Sequence, residues 1–401
     1  MPETILLKNA RVLVEREFVN ADLRIEGGRI AAIDSRGGRR GSPAAEKVSV
    51  PSGAHHTQEI DLAGARVLPG FIDIHTHGGA GVDFNSADEA DLDRVMAFFA
   101  AHGVSSFLPT IMTDEPDTMS RQLGLIARVA ERQRAAPGPR IAGIHLEGPF
   151  LASTHRGAHP AQLLRPCDLD LFDELQRAAG GLICLVTLSP ELEGAIPFIR
   201  ALAERGVRVS LGHSGAGYET AMEAIRAGAV SATHTMNAMK LMHMHDPAIL
   251  TAVLESDIYA EMICDGIHLH PPIVRVLLKA KGFDRMIAVT DSLMAAGLPD
   301  GRYAIGGADI VVERGDAKLA ESGMRAGSTL TMVGALRNLR TFTGRPIEEL
   351  SPLLSENPSR MLGIFDETGS LEPGKRADLV ALDPNNAVKM TMTDGKMSFA
   401  T

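Results

Sequence analysis

Short runs of alternating apolar and polar residues at the two ends of the chain predict β-strands. At the N-terminal end they cover residues 5–7, 11–13, 21–25 and 29–33, which are separated by polar or Gly-Gly turns. At the other end, residues 369–396 return to the same patterning. The middle of the chain has a different pattern. The two ends therefore indicate a small β-sandwich domain built from both termini.

In the middle of the chain, apolar strand-like runs alternate with amphipathic helical stretches, a pattern that predicts a parallel sheet. The strand candidates are residues 70–74, 105–109, 141–146, 182–188, 208–211, 229–233, 259–263 and 286–290. A closed (β/α)8 barrel has eight such strands. We therefore predict an α/β fold, with a (β/α)8 TIM-like barrel at residues 69–355 and the β-sandwich domain at residues 1–68 and 356–401.

Several helix ends are also encoded locally. Ser86 with Glu89 predicts a capping box, and a further pair of helices is predicted near residues 329–343 and 346–354. Residues 35–56, rich in Gly, Ser, Arg and Pro, predict a mobile loop without chemistry. Four glycines stand where a left-handed residue would end a helix: Gly103, Gly206, Gly228 and Gly282.

Composition narrows the class of protein. Hydrophobic residues make up 45% of the 401 residues and charged residues 22%, as in a globular enzyme. The formal net charge of -10 argues against a nucleic-acid or anionic-membrane surface. No apolar run is long enough to span a bilayer, and residues 1–10 lack a signal-peptide pattern. Because the three cysteines are too few and scattered for a disulfide framework, we expect a reducing cytoplasm.

Potential metal ligands follow the predicted strands, each at the carboxyl end. They are His75 and His77 after strand one, Glu147 after strand three, His213 after strand five, His234 after strand six and Asp291 after strand eight. In a closed barrel these strand ends converge on one mouth, so residues far apart in sequence become neighbours. Imidazoles and a carboxylate suit zinc and other divalent first-row metals at a hydrolytic site.

Each of these residues has an ordinary structural alternative. A His-x-His pair by itself is weak, and a lone histidine beside an apolar strand is usually a hydrogen-bonded core residue. Glu147 is placed to cap the following helix, and Asp291 to cap a turn. Five or six suitable ligands at one barrel mouth are hard to explain by coincidence, so the set as a whole favours a metal site.

Longer motifs surround these residues. They are Pro69-Gly-Phe-Ile-Asp-Ile-His-Thr-His-Gly, His145-Leu-Glu-Gly-Pro-Phe, Gly157-Ala-His-Pro, Leu211-Gly-His-Ser, Thr233-His-Thr-Met-Asn-Ala-Met, Asp265-Gly-Ile-His, Val289-Thr-Asp-Ser and Gly327-Ser-Thr-Leu-Thr-Met. Together they resemble the N-acetylglucosamine-6-phosphate deacetylase family of the amidohydrolase superfamily. The resemblance runs over nearly the whole chain, and the second and fifth of these motifs are its most specific parts.

The resemblance implies a ligand set. Glu147, His213 and His234 would hold the main metal, and some members keep a second metal on a pair that matches His75 and His77. One or two ions per subunit are therefore both open. We expect zinc, with iron, cobalt or manganese as alternatives.

Amide hydrolysis follows from such a site. A divalent cation lowers the pKa of its bound water to about 7, and Asp291 is predicted to take the water proton and then give it to the departing amine. The resemblance implies that His159 polarises or hydrogen-bonds the acetyl carbonyl and that His268 contacts the sugar or its phosphate. The alternative for His268 is a solvated loop residue.

Phosphate recognition is where the sequence departs from the family. His245 stands where the family typically carries an arginine, and histidine is largely neutral at pH 7 with fewer donors. Lys240 or His243 could compensate, and the backbone N–H groups of Asn237 and Ala238 could hold an anion.

Subunit assembly is also implied by the resemblance. In the family the arginine at this position reaches into the neighbouring subunit's site, which implies a homodimer. The Met-rich residues 236–244 have an alternative use as core or interface filling.

Three functions are compatible with these observations. The first is deacetylation of N-acetyl-D-glucosamine 6-phosphate to D-glucosamine 6-phosphate and acetate. The second is hydrolysis of an unphosphorylated or epimeric N-acyl amino sugar, such as N-acetylgalactosamine or its 6-phosphate. The third is a barrel that only binds or scaffolds, which the intact ligand set and Asp291 disfavour.

Overall fold

A computed structural model of the chain describes residues 4–35, 57–134 and 136–401. Residues 36–56, most of the segment predicted as a mobile loop, lie outside the described residues. None of the helices in the described ranges is long and apolar enough to cross a membrane.

Parallel strands form a barrel in the middle of the chain, which confirms the predicted fold. In the described residues they are Phe71–Thr76, Val104–Met112, Ile144–Glu147, Ile183–Leu188, Arg208–Leu211, Ala229–Ala232, Tyr259–Ile263 and Met286–Val289. The first and last strands meet through backbone hydrogen bonds, from Asp291 N–H to His75 O at 2.8 Å and from His77 N–H to Ser292 O at 2.7 Å. The barrel closes at these bonds, and all eight predicted strands are present.

Barrel strands are buried along their whole length because both of their faces are covered. Every residue of Phe71–Thr76 and of Val104–Met112 is buried. The surrounding helices are Glu89–Ala101, Pro116–Gln133, Leu169–Ala178, Ala195–Glu204, Tyr218–Ala227, Ile249–Glu255, Pro271–Lys281, Met332–Thr343, Ile347–Leu350 and Glu356–Leu362, with 3-10 turns at Ser153–His155, Ala161–Leu163 and Ser351–Leu354. The four glycines predicted to end helices all have positive φ, between 76° and 123°.

The predicted capping box at Ser86 and Glu89 is wrong. The first helix begins at Glu89, and Asp88 is its N-cap. Asp88 Oδ1 accepts from Asp91 N–H at 2.8 Å, and Asp91 Oδ2 accepts from Asp88 N–H at 3.1 Å. A carboxylate accepts as well as a hydroxyl does, so the aspartate nearer to the helix takes the position.

Both termini contribute to a separate sheet. Its strand order is Lys396–Ala400, Val388–Thr393, Leu379–Leu382, Arg66–Pro69, Thr4–Val14, Glu17–Glu26 and Arg29–Ser35, with Thr57–Asp61 paired to Thr4–Val14. The two strands predicted at residues 5–7 and 11–13 are one strand, interrupted by a register shift between Leu7 and Ala10. The exact domain boundaries stay a prediction.

A second, smaller sheet was not predicted. Three antiparallel strands, Gly301–Ile305, Ala308–Glu313 and Asp316–Leu319, lie between the eighth barrel strand and Met332–Thr343. Gly306-Gly307 and Arg314-Gly315 form its turns, and all four residues have positive φ. These turn signals were present in the sequence, but the short strands between them have mixed burial and weak alternation. We call residues 301–327 the insert.

Candidate metal centre and active site

The six predicted ligand and base residues come together at one mouth of the barrel. All of them are buried, with at most 7% of the residue surface exposed. They are His75 and His77 at strand one, Glu147 at strand three, His213 after strand five, His234 after strand six and Asp291 after strand eight. The mouth is formed by the carboxyl ends of the strands, as the sequence predicts.

Glu147 lies at the centre of this group. Its Oε1 is 3.1 Å from His213 Nε2, 3.2 Å from His234 Nε2 and 3.4 Å from His75 Nε2. Its Oε2 is 3.3 Å from His77 Nε2. Two triads could each hold a cation, and Glu147 belongs to both of them: Glu147 with His213 and His234, and Glu147 with His75 and His77.

The hydrogen bonds of His213 test whether a metal fits the first triad. His213 Nδ1 faces the carbonyl oxygen of His155 at 2.9 Å, and a carbonyl can only accept, so Nδ1 carries the proton. The neutral ring then directs the Nε2 lone pair at Glu147 and at His234 Nε2, which is 3.0 Å away. Lone pairs that face a carboxylate repel it unless a cation lies between them. The donor set therefore fits a divalent metal.

The second triad has the same chemistry. His75 Nδ1 donates to Glu261 Oε2 at 3.0 Å, and His77 Nδ1 donates to the carbonyl of Thr110 at 3.3 Å. Both rings consequently present Nε2 to the mouth, and His75 Nε2 is buried without a hydrogen-bond partner among the described residues. The geometry accommodates one or two ions, as the sequence left open.

Charges around the two triads set their protonation. Burial lowers the pKa of His75, but the charges of Glu147 and Asp291 outweigh it and raise the pKa well above its usual value. Burial also lowers the pKa of His77, but hydrogen bonds to Asp291 and Glu147 outweigh this effect and raise the pKa to about 9. At His213 burial prevails and lowers the pKa to about 4. Without a metal, His213 is therefore neutral at pH 7, whereas His75 and His77 hold protons.

Asp291 is an ionised carboxylate beside the second triad. Its Oδ1 lies 3.2 Å from His77 Nε2 and 3.6 Å from His75 Nε2. Burial raises the pKa of Asp291, but the charge of His75 and the hydrogen bond from His77 lower it below its usual range. Asp291, His213 and His234 all have positive φ, of 49°, 49° and 26°. Non-glycine residues rarely adopt this conformation, and such strain is concentrated at functional sites.

His159 differs from the other histidines of the mouth. Its Nδ1 accepts from Thr113 N–H at 3.4 Å and lies 2.9 Å from the Thr113 hydroxyl. The neutral ring therefore carries its proton on Nε2, which lies 3.3 Å from Glu147 Oε2. His159 therefore presents a donor to the mouth, whereas His75, His77 and His213 present lone pairs there in their neutral forms.

A cavity of about 690 Å³ opens over the metal centre. His159, Asn237, Ala238 and His268 line it together with the metal-site residues. His268 is held by Asp265, whose Oδ2 accepts from its Nδ1 at 2.6 Å. Asn237 N–H already donates to His234 O at 2.9 Å, so this N–H is not available to an anion.

His245 lies elsewhere. It is exposed on the loop that follows Lys240 and does not line the cavity in the described part of this subunit. Its predicted contact with substrate would require a neighbouring subunit and stays a prediction.

Comparison with known proteins is consistent with this geometry. The amidohydrolase family model matches residues 66–398. The chain belongs to the amidohydrolase family. The family and the His and Glu triads together indicate a hydrolase that uses a divalent metal.

Individual relatives of this amidohydrolase match it over nearly its full length. The N-acetylglucosamine-6-phosphate deacetylase of Bacillus subtilis (strain 168) is 36% identical over 403 residues, covering 100% of this chain and 98% of that protein. The N-acetylgalactosamine-6-phosphate deacetylase of Escherichia coli O157:H7 is 36% identical over 398 residues, covering 98% and 99%. The predicted resemblance is confirmed.

Solved structures agree with these relatives. The N-acetylglucosamine-6-phosphate deacetylase of Pasteurella multocida superposes with a TM-score of 0.89 at 29% identity, covering 99% of this chain and 100% of that one. A Mycobacterium smegmatis N-acetyl-D-glucosamine-6-phosphate deacetylase mutant, solved in complex with N-acetyl-D-glucosamine-6-phosphate, superposes with a TM-score of 0.87 at 33% identity, covering 100% of both chains.

One residue of this amidohydrolase's metal centre was missed at the sequence level. Glu261 is fully buried in Tyr259–Ile263, and its Oε2 accepts from His75 Nδ1 at 3.0 Å and from His234 N–H at 3.1 Å. It thereby connects a residue of each triad. A glutamate inside an otherwise apolar barrel strand was the available signal, because such a residue must pair with a partner inside the barrel.

We predict that Glu261→Gln weakens metal binding without removing a ligand. The amide can donate as well as accept, so it no longer fixes the His75 ring with Nε2 as the lone pair. Loss of such a supporting contact typically costs about 10- to 100-fold in metal affinity. Competitive titration of the metal-free protein with Zn²⁺ measures the change. The exposed Glu193→Gln is the control, and equal affinities in the two variants would contradict the prediction.

We also predict that metal binding releases protons and strengthens as the pH rises. Because the pKa of His77 is about 9 and that of His75 is also raised, both rings hold protons at pH 7 and must lose them to become ligands. Below pH 9 the apparent metal affinity of the second triad should therefore fall as the pH is lowered. Calorimetry in two buffers of different ionisation enthalpy counts the protons. Zinc binding without proton release at pH 7 would refute the prediction for this triad.

Proposed function

We propose that this amidohydrolase deacetylates N-acetyl-D-glucosamine 6-phosphate, releasing D-glucosamine 6-phosphate and acetate. The observation that carries the proposal is the group of His213, His234 and Glu147 with Asp291 beside it, at the floor of a cavity large enough for a small sugar. The full-length relatives named as deacetylases of amino-sugar 6-phosphates supply the substrate class.

In this proposal Glu147, His213 and His234 hold the main cation, and His75 and His77 with Glu147 provide for a second. Nitrogen and carboxylate donors favour zinc, with iron, cobalt or manganese as alternatives. When bound, the cation supplies a Lewis acid and lowers the pKa of a water molecule to about 7.

The chain's own residues move the proton and orient the amide. Asp291, ionised at neutral pH, takes the proton of the attacking water on a carboxylate oxygen and passes it to the departing amine nitrogen. His159 donates a hydrogen bond from its Nε2–H to the acetyl oxygen as negative charge develops there. His268, Asn237 and Ala238 contact the sugar from the cavity wall.

A second candidate substrate is N-acetyl-D-galactosamine 6-phosphate. The relative of that specificity is as similar to this chain, at 36% identity, as the relative that acts on the glucosamine compound. The two sugars differ only in the orientation of one hydroxyl group, and the residues that would face it are not distinguished by the motifs.

Acetate release from a matched set of sugars tests the proposal. We expect hydrolysis of N-acetyl-D-glucosamine 6-phosphate with a kcat/KM at least tenfold above that of its galactosamine epimer and above that of unphosphorylated N-acetyl-D-glucosamine. The reverse order of the epimers would establish the second candidate. Absence of acetate release from all of these compounds by the zinc-loaded protein would refute both.

Asp291→Asn should abolish most of the turnover. The amide cannot accept the water proton, and proton transfer of this kind contributes about 10²- to 10⁴-fold to the rate. Folding and bound zinc should be unchanged, as judged by circular dichroism and metal analysis. Near-normal kcat in the variant would contradict the assignment of Asp291.

We also propose a homodimer that works in the cytoplasm. The loop after Met239 exposes three large apolar side chains, Leu241 at 51%, Met242 at 52% and Met244 at 85%, as an interface between subunits would. The three cysteines are free thiols, as suits a reducing compartment. Fractionation of the producing cells tests the location.

A charged residue introduced into this loop should disrupt the proposed dimer. We expect the wild type to have twice the mass of the chain in light scattering and Met244→Glu to shift the protein toward the monomer, because a carboxylate would be buried at the interface. Val276→Glu, at an apolar residue that is 56% exposed on the helix Pro271–Lys281, serves as the control. A monomeric wild type would refute the proposal.

A further inference from the structure

Three basic side chains line the cavity above the metal centre: Arg156, Lys318 and Arg325. Arg156 Nη1 donates to the carbonyl of His159 at 2.5 Å, so this guanidinium is engaged in holding its own loop. The other two, Lys318 and Arg325, belong to the insert. They bring positive charge to a cavity whose floor consists of imidazoles and carboxylates.

Asp316 holds these two cations side by side. Its Oδ2 lies 2.9 Å from Lys318 Nζ, and Arg325 binds both of its oxygens, Nε to Oδ1 at 2.9 Å and Nη2 to Oδ2 at 3.2 Å. Two positive charges facing one negative charge leave an excess of +1. An ammonium has three donors and a guanidinium five, so Asp316 leaves donors on both groups for a second anion.

Both cations are accessible. The side chains of Lys318 and Arg325 are 44% and 46% exposed, whereas Asp316 between them is 17% exposed. An exposed ion pair of this kind contributes little to stability, so sharing the two cations with a ligand costs little. Asp316 orients the pair without neutralising it.

The position of Arg325 relates it to the sugar site. Burial lowers the pKa of His268 and the hydrogen bond to Asp265 raises it, with a net rise, and the charge of Arg325 acts against that rise. Arg325 is thus near enough to His268 for their charges to interact. His268 is the side chain that the proposed function assigns to the sugar or its phosphate.

The loop that carries His245 offers less to a phosphate. His245 and His243 are exposed imidazoles outside the cavity of their own subunit, and Lys240 Nζ is paired with Asp246 at 2.8 Å. A neutral imidazole binds a phosphate dianion more weakly than a guanidinium does.

We propose that Lys318 and Arg325 of the insert bind the 6-phosphate group of the substrate within one subunit. The inference rests on the proposed function and assigns its phosphate specificity to residues other than His245. The ligand recognised is a sugar phosphate monoester dianion, held by the ammonium and by the donors of the guanidinium that Asp316 leaves unused.

Four variants of the zinc-loaded protein test this assignment: Lys318→Gln, Arg325→Gln, His245→Gln and Arg302→Gln. Arg302 is the matched control, because it is an exposed arginine of the same insert that does not line the cavity. The measurements are kcat/KM for N-acetyl-D-glucosamine 6-phosphate and for N-acetyl-D-glucosamine, and the Kd of D-glucosamine 6-phosphate by calorimetry. Melting curves verify that each variant is folded.

Loss of one charge-assisted contact should weaken binding of the phosphate by about 10- to 100-fold. We expect Lys318→Gln and Arg325→Gln each to raise the Kd of D-glucosamine 6-phosphate and lower kcat/KM for the phosphorylated sugar by this factor. The unphosphorylated sugar should be affected less than twofold. Arg302→Gln and His245→Gln should behave like the wild type.

Two results would overturn the assignment. One is an unchanged preference for the phosphorylated sugar in both insert variants, and the other is loss of that preference in His245→Gln. Failure of the proposed function has a different signature, since the wild type would then release no acetate from any of the sugars. Binding of D-glucosamine 6-phosphate that depends on Lys318 and Arg325 would support the phosphate site even in that case.

Discussion

The site depends on the convergence of imidazole nitrogens on one buried carboxylate. Glu147 has four ring nitrogens of the two triads within 3.4 Å, and most of them present lone pairs rather than protons when the rings are neutral. Such an arrangement is stable only when positive charge is supplied, by protons in the metal-free protein or by a divalent cation. The raised pKa values of His75 and His77 and the lowered pKa of Glu147 are consequences of the same requirement.

Closure of the barrel is what makes this convergence possible. The backbone bonds between His75, His77, Asp291 and Ser292 join the first and the last strand at the level of the metal centre. The same bonds hold Asp291 in a left-handed conformation, with its carboxylate beside His77. The strain is thereby borne by a continuous hydrogen-bonded ring of strands, which also fixes the position of the proposed base.

Function is divided between the barrel and the segments attached to it. The buried strand ends carry the two triads, and Glu261 in the barrel wall contacts one residue of each triad. The insert contributes Lys318 and Arg325 to the lining of the cavity, whereas Met244 on the apolar loop is exposed to solvent. The candidate metal ligands thus lie at the ends of the barrel strands, and the residues proposed to bind phosphate lie on an attached segment.

The sequence by itself determined the number and order of the barrel strands, because strands covered on both faces are predominantly apolar and these runs alternate with amphipathic helical stretches. It also identified the six residues at the strand ends, since motif and strand position agree for each of them. It missed the Asp88 cap, where a carboxylate replaced the expected hydroxyl, and the insert, whose strands are half exposed and alternate weakly. Only the tertiary structure decided which ring nitrogen each histidine presents, because that depends on partners as distant in sequence as Glu261 and His155. It also decided that His245 lies outside the cavity of its own subunit and that Lys318 and Arg325 line it, because loop paths are fixed by packing and not by local pattern.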